Sequence, residues 1–289
     1  MERICKNIPR ILVAGTASGC GKTTAVCAIL TLLKRRGLRP VSLKCGPDYI
    51  DPMFHKTVTE TDSANLDPFF FDDDTLNALL AENAGGHDIA VIEGVMGFYD
   101  GAGMDGTENS TYSVARRTKS PVILVMDGRG ASVSVLAALS GFLDFMPENG
   151  IAGVLLSRVT SGTYGMLRRL AGQRFGARIR MLGYLPKLPE ALALGSRPLG
   201  LITADEVVGL REKLNRTADI LSETVDIDAL LALANGAPPI SFLPPAFLLE
   251  KPPLPSVRIA VARDQVFCFY YADNFRLLER LGAELVFLP

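Results

Sequence analysis

The sequence predicts an α/β fold with a doubly wound, mostly parallel central sheet. Short apolar runs alternate with amphipathic stretches along most of the chain, and a glycine-rich turn joins the first run to the first helix. Strands that are apolar on both faces are typical of parallel sheets covered by helices on both sides. A chain of 289 residues, of which 48% are hydrophobic, is long enough to bury such a sheet.

The apolar runs place the elements in order along the chain. A strand at residues 11–14 precedes the glycine-rich turn, and the helix over residues 23–36 ends at Gly37, a typical C-cap residue. Further strands are predicted at residues 41–44, 88–92, 122–126, 151–156 and 181–184, with helices at residues 132–143 and 163–175. Ligands of such sheets bind beyond the carboxyl ends of the strands, so the residues that follow each strand are the functional candidates.

A proline-rich stretch divides the chain. Residues 238–256 contain seven prolines, which exclude a regular helix or a central strand and predict a linker after a first domain of residues 1–237. A strand at residues 257–262, a helix at 274–281 and a strand at 285–288 then predict the first βαβ unit of a second α/β domain. One such unit cannot bury its own core, so we expect residues 257–289 to be an incomplete domain.

Composition narrows the class of protein. The net charge is −1, so no overall field favours nucleic acid or an anionic membrane as a partner. The five cysteines show no CxxC pair or zinc spacing, and the chain has only two histidines, so we interpret the cysteines as reduced thiols. The first residues lack the pattern of a secretory signal, and no apolar run is long enough to span a membrane. These features predict a cytoplasmic location.

The turn after the first strand has the pattern of a phosphate-binding loop. Its glycines let backbone N–H groups face phosphate oxygens at the start of a helix. Lys22 would reach the β- and γ-phosphates of ATP, and the Thr23 hydroxyl would bind Mg²⁺. Five residues separate Gly15 from Gly21, one more than in the usual motif. The predicted nucleotide contacts are Gly15, Thr16, Ser18, Gly19, Cys20, Gly21, Lys22, Thr23 and Thr24.

Charged residues follow the next two strands. In the segment KCGPDYIDPMFH at residues 44–55, Asp51 could complete a Mg²⁺ shell and Lys44 could neutralise a phosphorylated intermediate. In the segment EGVMGFYDG at residues 93–101, Glu93 stands where P-loop proteins place their second metal carboxylate, and Asp100 lies nearby. The alternatives are turn-forming aspartates in the first segment and solvated loop acids in the second.

These segments carry a resemblance to a known family. The longer loop is similar to that of dethiobiotin synthetase. The segments at residues 44–55 and 93–101, with VARDQVFCFYY at residues 261–271, resemble cobyrinic acid a,c-diamide synthase and its hydrogenobyrinic acid and nickel-sirohydrochlorin counterparts. The resemblance runs from Ile11 to the last residue. It implies a dethiobiotin-synthetase-like P-loop domain followed by the start of a class I glutaminase domain.

The family's chemistry is implied in the same way. ATP would phosphorylate a side-chain carboxylate of a corrin-type tetrapyrrole, and ammonia, normally released from glutamine, would displace the phosphate to leave an amide. The resemblance implies an ATP-dependent carbon–nitrogen ligase; its oligomeric state stays open, with a homodimer as one candidate. By this resemblance, Lys22 and Thr23 act on the triphosphate, Asp51 and Glu93 hold Mg²⁺, Lys44, Asp48 and Asp100 take part in catalysis, and Asp48, Tyr49 and Ile50 contact the substrate.

The sequence departs from the family at three places. Ser157 stands where the family usually has an asparagine that resembles the adenine-recognising residue of dethiobiotin synthetase, which leaves base selectivity open. Residues 197–201 read RPLGL where the family often has RHLGL. After the linker, Cys268 lies between two phenylalanines and no histidine follows His87, so we expect this chain to use ammonium and not glutamine.

Two other functions remain as alternatives. One is a switch ATPase that assembles or regulates a partner; the absence of a lysine between Lys6 and Lys22 distinguishes this loop from those of the partitioning ATPases. The other is a dethiobiotin-synthetase-like enzyme that activates carboxylates, which the segment from Asp48 to His55 fits poorly. Stimulation of phosphate release by a corrinoid or a sirohydrochlorin would separate these functions.

Overall fold

The computed structural model describes residues 2–103, 106–194, 204–245, 257–264 and 266–289. Its centre is a sheet of seven parallel strands in the order β4-β3-β5-β2-β6-β7-β8. In chain order these strands are β2 (Arg10–Gly15), β3 (Pro40–Cys45), β4 (Asp62–Leu66), β5 (Ile89–Glu93), β6 (Val122–Asp127), β7 (Ile151–Ser157) and β8 (Arg180–Leu185); β1 (Ile4–Lys6) lies outside this sheet.

Helices cover both faces of the sheet. In chain order they are α1 (Lys22–Arg35), α2 (Ile50–Phe54), α3 (Asp73–Asn83), α4 (Thr111–Arg117), α5 (Ser134–Phe145), α6 (Ser161–Phe175), α7 (Ala204–Thr224) and α8 (Ile227–Asn235). Helices α1, α7 and α8 pack on one face, and α3 to α6 pack on the other. The alternation along β2 shows why both faces are covered, because Ile11 and Val13 enter one core while Leu12 and Ala14 enter the other.

The order of the strands places the phosphate loop at the middle of the molecule. The chain leaves β2 for β3 on one side of the sheet and later adds β6, β7 and β8 on the other side. The carboxyl end of β2 is therefore a topological switch point, where α/β sheets open a crevice for ligands. The loops after β3 and β5 begin at the same edge of the sheet.

The predicted parallel α/β fold is confirmed, and the structure adds elements that were not predicted. Strand β4 and helices α7 and α8 belong to the domain, and a short strand β9 (Ile240–Phe242) pairs antiparallel with β1. Ile240 and Phe242 are buried in the core, so the first part of the predicted linker packs with the first domain. The segment at residues 197–201 and most of the rest of the linker lie outside the described residues.

Arg10 is a buried charge that ties this short strand pair to the sheet. Burial lowers its pKa to about 10, so the guanidinium remains charged near neutral pH. Its nitrogen atoms donate to the carbonyl oxygens of Ile8, Thr118, Lys119 and Pro238 and to the hydroxyl of Ser120. These bonds join the end of α4 and the start of the proline-rich stretch to β2.

We expect Arg10→Met to lower the free energy of unfolding by about 3 kcal/mol or more, because several buried carbonyl groups would lose a charged donor. Urea unfolding followed by circular dichroism measures this change. Arg3→Met is the matched control, since Arg3 contacts Asp74 and Ser241 at the exposed side of the same strand pair and should contribute about 1 kcal/mol or less. Equal losses in the two variants would contradict the role of Arg10.

The residues after the linker form a small separate unit. Strands β10 (Val257–Ala262) and β11 (Ala283–Leu288) pair in parallel around helix α9 (Ala272–Arg280). Much of its apolar surface is exposed, including Val257, Phe287 and Leu288. We call residues 257–289 the C-terminal unit.

Among the described residues, no helix combines the length and apolarity that a membrane crossing requires.

Candidate functional site

The phosphate loop has the backbone that its glycines predict. Gly19 and Gly21 adopt positive φ values of 73° and 102°, which favour glycine. A side chain at Gly15 would collide with Lys22, because a Cβ there would lie 2.8 Å from the lysine stem. Gly15 therefore leaves the space through which Lys22 passes beneath the loop.

Lys22 and Thr23 contact the end of β5 and the segment that follows it. Lys22 Nζ donates to the carbonyl oxygen of Met96 at 2.5 Å and to that of Ala17 at 3.3 Å. Burial lowers the pKa of Lys22, partly offset by the nearby acids. The Thr23 hydroxyl donates to Glu93 Oε1 at 2.6 Å. Of the two loop residues predicted to act on a triphosphate, Thr23 thus contacts the predicted metal carboxylate directly.

Lys44 lies between the carboxylates and not in a cleft. Its Nζ is 2.5 Å from Asp51 Oδ2, 3.4 Å from Glu93 Oε1 and 3.8 Å from Asp48 Oδ2. Burial alone would lower the pKa of Lys44, but the carboxylates outweigh burial and raise it. A role in neutralising a phosphorylated intermediate stays a prediction, whereas its pairing with three acids is seen directly.

Glu93 is fully buried and ionised. Burial opposes its charge, but Lys44 and hydrogen bonds from His55 and Thr23 hold the pKa of this carboxyl well below its usual range. His55 Nε2 lies 3.1 Å from Glu93 Oε2, and Ser42 Oγ lies 2.7 Å from His55 Nδ1. Because an ionised carboxylate can only accept hydrogen bonds, we place a ring hydrogen on His55 Nε2, the nitrogen that faces Glu93. Ser42 and His55 therefore fix the orientation of Glu93, a role that sequence reasoning missed.

Thr23, Asp51 and Glu93 are the predicted magnesium ligands. Thr23 and Asp51 line the nucleotide-side surface of the site, and the Thr23 hydroxyl contacts the buried Glu93. Both carboxylates also contact Lys44. Among the described residues, no group of three or more histidine, cysteine, aspartate or glutamate side chains forms a complete metal site. Mg²⁺ commonly takes one or two protein ligands and completes its shell with phosphate and water oxygens. The site is suited to an ion that arrives with a nucleotide.

The loop after β3 is built around Asp48. The Asp48 side chain accepts from the backbone N–H groups of Ile50 and Asp51 and so begins helix α2. Asn65 at the end of β4 donates to the carbonyl oxygens of Gly46 and Asp48 and fixes the loop from below. Asp48 is thus a turn former, as the alternative reading proposed, and it also lies in the site.

Two cavities meet at this loop. The first, of about 620 Å³, is lined by the phosphate loop, Arg158 and the segment after β8, and we call it the nucleotide cleft. The second, of about 680 Å³, is mostly apolar, and we call it the apolar cavity. Asp48 and Ile50 line both cavities. The apolar cavity is also lined by Cys45, Tyr49, Asp67, Phe69, Val95, Met96, Asp100 and Phe269.

Asp100 and Ser157 take different places from the central carboxylates. Asp100 lines the apolar cavity, and its Oδ2 accepts from the N–H of Gly97 at 2.8 Å. Ser157 is buried beneath the phosphate loop, where its hydroxyl donates to the carbonyl oxygen of Cys20 at 2.6 Å. Ser157 therefore supports the phosphate loop, and it also lines a cavity beside that loop.

Most predicted site residues converge. The structure brings Lys22, Thr23, Asp51 and Glu93 to one edge of the sheet, and it places Asp48 and Ile50 where the two cavities join. Ser18 and Thr16 lie in the phosphate loop beside them. Sequence reasoning did not assign functions to Ser42, His55, Asn65 and Asp67. The position of His55 within KCGPDYIDPMFH was the one available signal.

The comparisons with known proteins agree with this geometry. Residues 11–202 match the family model described as the CobQ/CobB/MinD/ParA nucleotide binding domain. That range contains the phosphate loop, both acidic segments and every strand of the central sheet except Arg10, the first residue of β2.

Curated relatives extend the match beyond that domain. Cobyrinate a,c-diamide synthase of Listeria monocytogenes is 43% identical over 278 residues, which cover 96% of this chain and 61% of the relative. The proteins of the same name from Salmonella typhimurium and Gloeobacter violaceus are 42% and 44% identical, covering 95% of this chain and 59% and 60% of their own lengths. The chain thus spans about 60% of the length of these relatives.

Proposed function

This chain belongs to the CobQ/CobB/MinD/ParA nucleotide-binding domain family, and from that premise we propose that it uses ATP to amidate carboxylates of a corrin-type tetrapyrrole. The observation that carries the proposal is the junction of the nucleotide cleft with a large apolar cavity at Asp48 and Ile50. A macrocycle in the apolar cavity could present a side-chain carboxylate to a phosphate at Lys22. The name of the curated relatives supports this choice of substrate.

In the proposed reaction, a carboxylate oxygen of the macrocycle attacks the γ-phosphorus of ATP. The bond from that phosphorus to the bridging oxygen breaks, and ADP leaves. Ammonia then attacks the acyl carbon of the acyl phosphate; the carbon–oxygen bond to phosphate breaks, and the nitrogen loses a proton to give the amide. Phosphorylation is needed because a free carboxylate is a poor acyl donor.

The residues of the site have distinct roles in this proposal. Lys22 exchanges its contacts with carbonyl oxygens for phosphate oxygens and stabilises the charge that develops on them. Thr23 and Glu93 would hold Mg²⁺, which neutralises phosphate charge when bound. Lys44, anchored on three carboxylates, keeps the acidic loop in place. Asp48 stands between the two cavities and holds the loop that joins them.

Mass spectrometry tests the reaction directly. Cobyrinic acid, hydrogenobyrinic acid and nickel-sirohydrochlorin are each incubated with the protein, ATP, Mg²⁺ and an ammonium salt. Each amidation replaces a hydroxyl by an amino group, so the product masses count the carboxylates that reacted. ATP hydrolysis that no macrocycle stimulates, without any amide product, would favour a switch ATPase instead.

We expect Asp48→Asn to raise the KM for the macrocycle by about tenfold, or about 1.4 kcal/mol, while the KM for ATP changes little. Asparagine keeps the oxygen that begins α2 but loses the charge beside Lys44. Steady-state kinetics with each substrate varied in turn measures the difference. The matched control is Asp226→Asn, because Asp226 begins helix α8 in the same manner and lines neither cavity. Unaltered macrocycle kinetics in the Asp48 variant would remove this residue from the substrate site.

A further inference from the structure

The C-terminal unit touches the first domain at the apolar cavity. The Tyr271 ring lies 4.9 Å from the Tyr49 ring, and the Phe269 ring meets Tyr49 edge-on at 5.8 Å, both measured between centroids. Tyr271 is only 7% exposed, although much of the apolar surface of its unit faces solvent. Phe269 itself lines the apolar cavity, together with Tyr49. One aromatic ring from each unit, Tyr49 and Phe269, therefore lines this cavity, and Tyr271 packs against Tyr49.

A hydrogen bond to a buried acid fixes this contact. The Tyr271 hydroxyl donates to Asp67 Oδ2 at 3.2 Å. Asp67 is fully buried after β4, and its other oxygen accepts from the N–H of Phe69. Both Asp67 and Phe69 line the apolar cavity. Loss of the hydroxyl would take a donor from a buried carboxylate at the base of the cavity, which is costly.

The other described contacts between the units are polar and lie farther from the cavity. Arg280 pairs with Glu82, and Arg276 and Asp273 bond to Asn83 at the end of α3. The two arginine side chains are about two-fifths exposed, and pairs of this kind each contribute little to a specific arrangement. The buried contact of Tyr271 with Tyr49 and Asp67 is therefore the one that sets the position of the unit at the cavity.

We propose that Phe269 forms a wall of the macrocycle site and that Tyr271 is a positioning residue that holds Tyr49 and the loop of residues 46–51 against the bound macrocycle. This inference rests on the proposed function. The C-terminal unit then determines macrocycle affinity, although the residues assigned to phosphate chemistry all belong to the first domain. Binding is reciprocal, so a macrocycle in the cavity also strengthens the contact between the two units.

The variants Phe269→Ala and Tyr271→Phe test the two parts, with Tyr270→Phe as the matched control. Tyr270 is the neighbour in the same segment, and its hydroxyl donates to the carbonyl oxygen of Ala262 within the C-terminal unit. Removing that hydroxyl leaves the first domain untouched. Phe269→Leu retains apolar volume and should recover part of the affinity that Phe269→Ala loses.

We expect Phe269→Ala to weaken macrocycle binding by about tenfold in an absorbance titration, as for truncation of an aromatic anchor. Tyr271→Phe should raise the KM for the macrocycle while kcat at saturation and the KM for ATP stay within about twofold. It should also speed amide hydrogen exchange over residues 46–51 in the free protein. Tyr270→Phe should change none of these quantities.

Two failures can be told apart. If the unaltered protein binds macrocycle and neither Phe269→Ala nor Tyr271→Phe changes its affinity or the exchange of residues 46–51, the inference is overturned. If the unaltered protein binds none of the macrocycles, the proposed function fails. The exchange measurement, made without any ligand, then still decides whether Tyr271 holds the loop.

Discussion

Lys22→Ala is expected to lower ATP turnover by about a hundredfold or more, with the fold retained. The Lys22 ammonium is bound to two backbone carbonyl groups at the edge of the nucleotide cleft, where a phosphate would replace them. Alanine removes the charge that stabilises the transferred phosphoryl group and leaves the strand and helix around the loop intact. Phosphate release under saturating ATP and Mg²⁺ measures the loss, and thermal unfolding checks the fold.

Lys34→Ala is the matched control for this variant. Lys34 lies on the same helix, α1, and it binds the carbonyl oxygens of Thr59 and Glu60, away from the cleft. The Lys34→Ala substitution removes one positive charge from the same helix, so ATP turnover by this variant should match that of the unaltered protein. Phosphate release at the normal rate in Lys22→Ala would overturn the assignment of the phosphate loop.

The sheet could be predicted from sequence because its strands are buried on both faces. Such strands are continuous apolar runs, as at residues 122–126, and the ends of parallel strands necessarily meet at one edge. Strand β4 was not predicted because its sequence, DSANL, contains three polar residues and because it lies at the edge of the sheet. Helix α7 did carry a signal, since Leu210, Leu214, Ala218 and Leu221 recur at helical spacing.

The site could be predicted less completely than the sheet. Because the carboxyl ends of parallel strands share one edge of a sheet, Asp51 and Glu93 are expected to lie near each other, and they do. The order of the strands does not tell which charged side chains pair, so the burial of Lys44 between three acids could not be predicted. The contact of Tyr271 with Tyr49 depends on how two units dock, which no local pattern records. The roles of the individual residues and the domain boundaries stay predictions.

His55 shows how a buried polar residue escapes sequence reasoning. A lone histidine predicts a core residue as readily as a functional one. In the structure it is fully buried, between Ser42 on β3 and Glu93 on β5. Its function therefore depends on the pairing of β3 with β5, a tertiary feature. The same pairing places Lys44 beside Glu93.

Glu93→Gln is expected to lower Mg²⁺-dependent turnover by about a hundredfold or more and to shift half-maximal activity to higher Mg²⁺. Glutamine keeps the shape of the side chain but removes the charge that faces the ion. Thr23 and Lys44 face one carboxylate oxygen of Glu93, and His55 faces the other. The NH₂ group of a glutamine would therefore point at a hydrogen-bond donor in either orientation. Nucleotide affinity measured without Mg²⁺ should change little, because the phosphate loop itself is unaltered.

The same substitution leaves Lys44 with fewer counter-charges, so we also expect the free energy of unfolding to fall by about 3 kcal/mol. Activity is therefore measured where unfolding curves show the variant to be folded, and Mn²⁺ binding gives a readout independent of turnover. Glu60→Gln, an exposed acid that pairs with Lys34 and Arg211, is the control and should alter neither quantity. An unchanged Mg²⁺ titration in Glu93→Gln would move the metal role to Asp51 or Asp100. Glu93, oriented by His55 and Ser42, would then act only as a counter-charge for Lys44.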